Sequence, residues 1–301
     1  MLRIGMVDFD SSHAVNFTKI LNHKVDDEEQ WIDGGRVVLG CALPSQVMDE
    51  EGVREYREAC EKMGVEMVES PEDMLGEIDA VMLESNDGRT HLKRARPFLE
   101  AGIPTFVDKP LSFSLEEARR MAALSAENSA PLFSASSLRY APEVVEVCTN
   151  SDVYGEVMGA LTYSPAKDQQ DNPGLLYYGI HAIEPLYALM GAGCESVSCS
   201  SAPDAEVITA RWSDGRVATL RGLKTGSHGF GFCAWCENEI TGGPVSTRFI
   251  YRELLKRVLK MFETGEPPLD IEETIEIITF GLAAVESKER GGEQVRLSEL
   301  K

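Results

Sequence analysis

The first half of the chain alternates short apolar runs with amphipathic ones, and that alternation leaves few architectures open. Strand-like runs lie at 3–7, 36–42, 65–68, 80–83, 105–107 and 132–135, with helical periodicity over 13–22, 50–63, 90–101 and 115–127. Strands separated by helices in this way run parallel, joined by right-handed crossovers with helices on the sheet's faces. Ser114, with Glu117 three residues later, predicts a capping box at the last of these helices. Ser70-Pro71-Glu72-Asp73 predicts a further helix start, with a proline where its missing N–H costs nothing. The segment 24–30 reads as a solvated acidic loop.

Beyond residue 130 the pattern changes to alternation over 156–163, 207–212, 217–223 and 230–239. A helix at 176–190 interrupts it, and two more follow at 247–264 and 271–289. This predicts an α+β domain with a mostly antiparallel sheet. A chain of 301 residues suits two domains, placed at 1–130 and 131–301, so the fold class is α/β followed by α+β.

Lysine and arginine total 29 against 50 acidic residues, a formal charge of −21. A nucleic-acid partner needs basic patches that release counterions, and this balance argues against one. The N-terminus is too short in its apolar part for a secretory signal, and no stretch approaches the roughly 20 apolar residues that span a bilayer. A soluble, cytoplasmic protein without a membrane partner is expected. Seven cysteines then read as reduced thiols. Cys233-Ala234-Trp235-Cys236 falls in a strand-like run, where residues three apart face opposite ways, which favours a structural role.

The most chemically suggestive run is Ile103-Pro104-Thr105-Phe106-Val107-Asp108-Lys109-Pro110. Open α/β sheets bind ligands outside the carboxyl ends of their strands, and Pro110 restricts Lys109 to an extended conformation there. Lys-Pro can also simply end a strand with a solvated lysine. Both readings stand on the tripeptide alone.

Three segments, in order, resemble the glucose-fructose oxidoreductase and inositol dehydrogenase (Gfo/Idh/MocA) family. The first is Leu99-Glu100-Ala101-Gly102 followed by Phe106-Val107-Asp108-Lys109-Pro110, similar to a Glu-Lys-Pro signature with Asp108 in place of Glu. The second is Gly179-Ile180-His181 with Glu184 and Leu189-Met190-Gly191, and the third runs from Pro267 to Gly292 with Ala283-Ala284 and Glu286-Ser287. The resemblance implies an N-terminal Rossmann-like domain for NAD or NADP and a C-terminal domain whose open sheet face forms a homodimer or homotetramer. It implies hydride transfer at a hydroxyl-bearing carbon of a sugar, polyol or related small molecule. Lys109 is expected to bind the reacting hydroxyl, and His181 to serve as general acid or base. Tyr177 stands where the family has an aspartate, and is expected to bond substrate or His181.

The first strand-to-helix turn departs from the glycine fingerprint, since Asp8, Asp10 and His13 occupy its three glycine positions. Those glycines permit the tight turn and close approach to a pyrophosphate. Ser11, Ser12, His13 and the N–H groups of the following helix offer a remaining anion site, while Ser11 or Ser12 also reads as a plain helix cap. Asp8, Asp10 and His13 read equally as a polar or metal pocket, but three such residues in a row are weak grounds, and no metal is expected. At the second strand no acid stands ready for an adenosine ribose. Ser85, Asn86 and His91 carry over loosely to the cofactor, with His91 otherwise a first-turn helix residue. Arg139, in Leu138-Arg139-Tyr140, reads as a substrate-carboxylate ligand or as a structural ion pair. The lost glycines also support an alternative: a metabolite-binding protein or non-redox enzyme on the same fold.

Overall fold

The computed structural model describes residues 1–167 and 174–300. In chain order its elements begin β1 (Leu2–Val7), α1 (Ser12–Leu21), β2 (Gly35–Cys41), α2 (Glu50–Lys62), β3 (Glu66–Met67) and β4 (Ala80–Leu83). There follow α3 (His91–Glu100), β5 (Thr105–Val107), α4 (Leu115–Asn128), β6 (Leu132–Phe133), α5 (Pro142–Thr149), α6 (Ser151–Tyr154) and β7 (Val157–Pro165). The last are α7 (Gly174–Tyr177), α8 (Ile180–Met190), β8 (Cys194–Ser201), β9 (Ala205–Trp212), β10 (Val217–Leu223), β11 (Gly231–Cys236), β12 (Ile240–Pro244), α9 (Ile250–Thr264), α10 (Ile271–Glu289) and β13 (Val295–Arg296).

The chain divides into two compact units, one of residues 1–135 and 251–271 and the other of 136–250 and 272–301. The first junction falls within a few residues of the expected 130/131. The second is a correction, because α9 from Tyr251 onward belongs to the first unit and not to the C-terminal domain. Its apolar side explains why: Leu259 lies against Gly35, where an added Cβ would come within 2.6 Å of it, and Tyr251 meets the rings of His13 and Phe17.

The first unit is built on a six-stranded parallel sheet in the order β3-β2-β1-β4-β5-β6. This is the doubly wound order of a Rossmann fold, reversing direction between β1 and β4. Ile4, Met6, Val7, Val81, Met82, Leu83, Phe106 and Val107 are fully buried, as strands covered on both faces require. Ser11 caps α1 by accepting from the His13 N–H at 3.2 Å, and Asp49 caps α2. At α4 only half of the expected capping box forms, for the Glu117 carboxylate accepts from the Ser112 hydroxyl instead. The Ser70 start gives only a short 3₁₀ turn, Pro71–Met74.

The second unit carries a seven-stranded sheet in the order β12-β11-β7-β10-β9-β8-β13, antiparallel except for the β7–β10 pair. Helix α8 covers one face, where the Thr162 hydroxyl of β7 donates to the Ala182 carbonyl at 2.8 Å. On the other face Trp235, Ile240 and Val217 are exposed. Among the described residues no helix is long and apolar enough to cross a membrane.

Candidate functional site

In the first unit, register explains the site. Val7, Leu83 and Val107 are paired across β1, β4 and β5, so the next residues, Asp8, Glu84 and Asp108, stand side by side at the carboxyl edge. All three are at most 1% exposed. Three adjacent buried carboxylates repel one another and lose their hydration, so each needs a partner.

Asp8 is answered by Arg94 of α3, which contacts it directly and also donates to Ser85 Oγ at 2.9 Å and to the Pro44 carbonyl at 3.0 Å. Burial pushes the Asp8 carboxyl up to about 7 even with the guanidinium beside it. Asp108 is answered from two sides: His13 Nδ1 lies 2.9 Å and Lys109 Nζ 3.4 Å from its Oδ2. Burial opposes ionisation of Asp108, but the His13 and Lys109 charges hold it below the usual carboxylate range. Glu84, in the middle, accepts no hydrogen bond from a described residue on either oxygen, and burial followed by the charge of Asp108 raises it well above a normal glutamate.

The phosphate turn can now be described. Asp8 has φ of 72°, the left-handed conformation that the first fingerprint glycine would supply, and its side chain turns inward to Arg94. Asp10, only 2% exposed, is drawn aside as well, accepting from the Asn86 N–H at 2.8 Å and the Ser45 hydroxyl at 2.6 Å. The two carboxylates that replace fingerprint glycines are thus turned inward and tied up. Ser11 serves as the helix cap, and Ser12 stands exposed in the first turn of α1. The His13 ring stacks on Phe17 at 4.9 Å. His91, the first residue of α3, is fully buried between the carbonyls of Leu111 and Ser85, each 3.0 Å from a ring nitrogen.

Lys109 is 6% exposed and joined by a cis peptide bond to Pro110. A solvated strand-end lysine does not fit that burial. Of the sequence-derived residues, the first unit gathers Ser11, Ser12, His13, Ser85, Asn86, Asp108 and Lys109 along the ends of β1, β4 and β5 and the start of α1. Sequence reading missed Glu84 and Arg94. Glu84 did carry a signal: it follows its strand directly, as Asp8 and Asp108 follow theirs.

In the second unit His181 lies at the start of α8, 6% exposed. Ser136 Oγ is 2.6 Å from its Nδ1 and also accepts from the Leu138 N–H, while the Ser136 N–H donates to Glu184 Oε1 at 3.0 Å. Tyr178 sets its ring edge-on to the imidazole, at 4.8 Å. Tyr177 lines, with Pro165, Lys167, Tyr178 and His228, a cavity of about 250 Å³. The Arg139 guanidinium meets Glu184 at 3.4 Å and also Glu273. Burial drives the Glu184 carboxyl up to about 7 in spite of Arg139.

That shift has a consequence for stability. Between about pH 4.5 and 7 the folded protein holds a proton on Glu184 that the unfolded chain releases, so stability falls as pH rises through this window. Glu184→Gln is expected to remove that share of the slope, at most about 3 kcal/mol across the window. Asp8 contributes a parallel slope that remains. Urea unfolding at intervals of pH measures it, and an unchanged slope would refute the assignment.

Residues 45–136 match the model of the Gfo/Idh/MocA family, described as an oxidoreductase family with an NAD-binding Rossmann fold. The matched segment begins beyond the turn in which the three glycines are replaced. None of the curated proteins matches the sequence. Solved structures share the fold end to end. A probable dehydrogenase from Thermotoga maritima has TM-score 0.80 and 20% identity, covering 100% of both chains. Scyllo-inositol dehydrogenase from Lactobacillus casei, solved with NAD(H) and scyllo-inositol, has TM-score 0.80 and 15% identity over 99% of each chain. Myo-inositol dehydrogenase from the same organism, solved with NAD(H) and myo-inositol, has TM-score 0.80 and 15% identity over 98% of this chain and 96% of its own. The fold is shared with these solved structures over the whole chain, and residues 45–136 match the Gfo/Idh/MocA family model.

Proposed function

We propose that the protein is an NAD(P)-dependent oxidoreductase acting on the CH–OH group of a sugar, polyol or related metabolite. The observation that carries this reading is Lys109, buried at the carboxyl end of β5 and held by Asp108, in a Rossmann-order sheet. A lysine that only ended a strand would have no reason to lose its hydration there.

The turn's residues fit a dinucleotide on a specific ground: Asp8 supplies the left-handed backbone of a glycine, and Arg94 cancels its charge. Ser11, Ser12 and the amino end of α1 would hold the pyrophosphate, with Ser85 and Asn86 nearby at the end of β4. When bound, the nicotinamide accepts or returns hydride. The chain does the rest. Lys109 donates a hydrogen bond to the reacting oxygen, and Asp108 fixes the direction from which it does so. His181 exchanges the hydroxyl proton, its ring orientation set by Ser136. Tyr177 would contribute to substrate binding from the cavity it lines. The exposed face bearing Trp235, Ile240 and Val217 would form a homodimer or homotetramer contact.

A second reading, a metabolite binder or non-redox enzyme, draws on Asp10, whose carboxylate is met by the neutral Ser45 hydroxyl and Asn86 N–H at a position the fingerprint reserves for glycine. Melting of the full chain with NAD, NADP and a panel of polyols separates the two. The oxidoreductase reading expects either dinucleotide, at millimolar concentration, to raise the melting temperature by several degrees. Stabilisation by a polyol with no response to either dinucleotide would establish the second reading instead.

A further inference from the structure

We propose that His13, Glu84 and Asp108 form a binding site for a divalent first-row transition-metal ion. One ring nitrogen and one carboxylate oxygen from each acid lie within 4.8 Å of one another, and His13 Nδ1 is 2.9 Å from Asp108 Oδ2 and 3.9 Å from Glu84 Oε2. Ligands bound to such an ion at about 2.0–2.2 Å stand roughly 3–3.5 Å apart, so small side-chain shifts close the set.

The orphaned Glu84 is the independent observation. It is fully buried, neither oxygen accepts a hydrogen bond from a described residue, and it points into the cluster. Its neighbours on both sides are answered: Asp8 by Arg94, and Asp108 by Lys109 and His13. Native proteins rarely leave a buried carboxylate without a partner, and a missing ion is a standard reason when they do. Two carboxylates and a neutral imidazole carry two negative charges, which a dication balances. Asp108 Oδ1 has no hydrogen-bond partner among the described residues either, so this residue can ligate and still face Lys109.

The donor set narrows the ion. Imidazole beside carboxylates suits zinc, iron, cobalt or manganese better than magnesium or calcium, which favour all-oxygen sites. Every ligand is anchored: Glu84 and Asp108 by sheet register, and His13 by its place in the first turn of α1 with its ring against Phe17.

The test uses full-length protein stripped with EDTA, dialysed, and titrated with Co²⁺. One equivalent per chain is expected, with visible d–d absorption that Zn²⁺ displaces. Bands from thiolate-to-cobalt charge transfer should be absent. His13→Gln and Glu84→Gln should each weaken binding by at least about tenfold, since even removing an outer partner of a metal ligand costs that much. Absence of saturable binding in the wild type, a thiolate spectrum, or equal affinity in both variants would overturn the assignment. Should either variant fail to fold, the wild-type stoichiometry and spectrum decide the matter alone.

Discussion

Lys109→Met is expected to lower dinucleotide-dependent turnover of the best polyol substrate by about 100- to 10,000-fold, the range for losing a positioned proton-handling group. The fold should survive, because His13 remains 2.9 Å from the Asp108 carboxylate once the ammonium is gone. The kinetic signature distinguishes chemistry from packing. A group that binds the reacting oxygen chiefly in the transition state lowers kcat and kcat/KM together when removed. A merely structural lysine would instead show its loss in the melting temperature with kcat close to wild type. Steady-state rates and a melting curve on the same preparation separate these outcomes.

Arg94→Met should have the largest effect on stability. Its guanidinium meets Asp8, Ser85 and the Pro44 carbonyl at once, tying α3 to the turn after β1. Removing it strands a buried carboxylate, a change that typically costs about 3–5 kcal/mol. For a domain of this size that is a fall of about 6–20 °C in melting temperature. The paired change Asp8→Asn with Arg94→Met should recover much of the loss, since asparagine tolerates the left-handed backbone of Asp8 and carries no charge. A double variant no more stable than Arg94→Met alone would show that the cost comes from packing and not from the stranded acid.

These two residues also mark what the sequence made legible. Lys109 announced itself because a short apolar run followed by Lys-Pro is a local signal. Asp8 was visible only as a missing glycine. Nothing local tells that its charge is met by an arginine 86 positions away, or that its backbone keeps the glycine's conformation. The parallel sheet could be read because its buried strands are continuous apolar runs, and β4 and β5 fall at their expected bounds. The second sheet was less legible. Strand β8, Cys-Glu-Ser-Val-Ser-Cys-Ser-Ser, is too polar to announce alternation, and β12 hides behind two glycines and a proline that an edge strand tolerates. The helix α9 was recognised as a helix but assigned to the wrong unit, since its partner Gly35 lies over 200 residues earlier.

At the candidate sites, residue types were easier to find than partners. His181 was singled out, but Ser136, which fixes its ring, lies in a serine run that carries no chemical signature. Arg139 was singled out too, but its partners Glu184 and Glu273, the latter 134 positions away, were not legible. Glu84 acquires meaning only from the register that aligns it with Asp8 and Asp108.

The most direct test of the proposed activity is to follow the absorbance of the reduced nicotinamide when wild-type protein is mixed with NAD or NADP and a panel of polyols, sugars and sugar acids. The proposal predicts that at least one substrate drives sustained, protein-dependent dinucleotide reduction. Tight binding of such a compound with no reduction of either dinucleotide would contradict it.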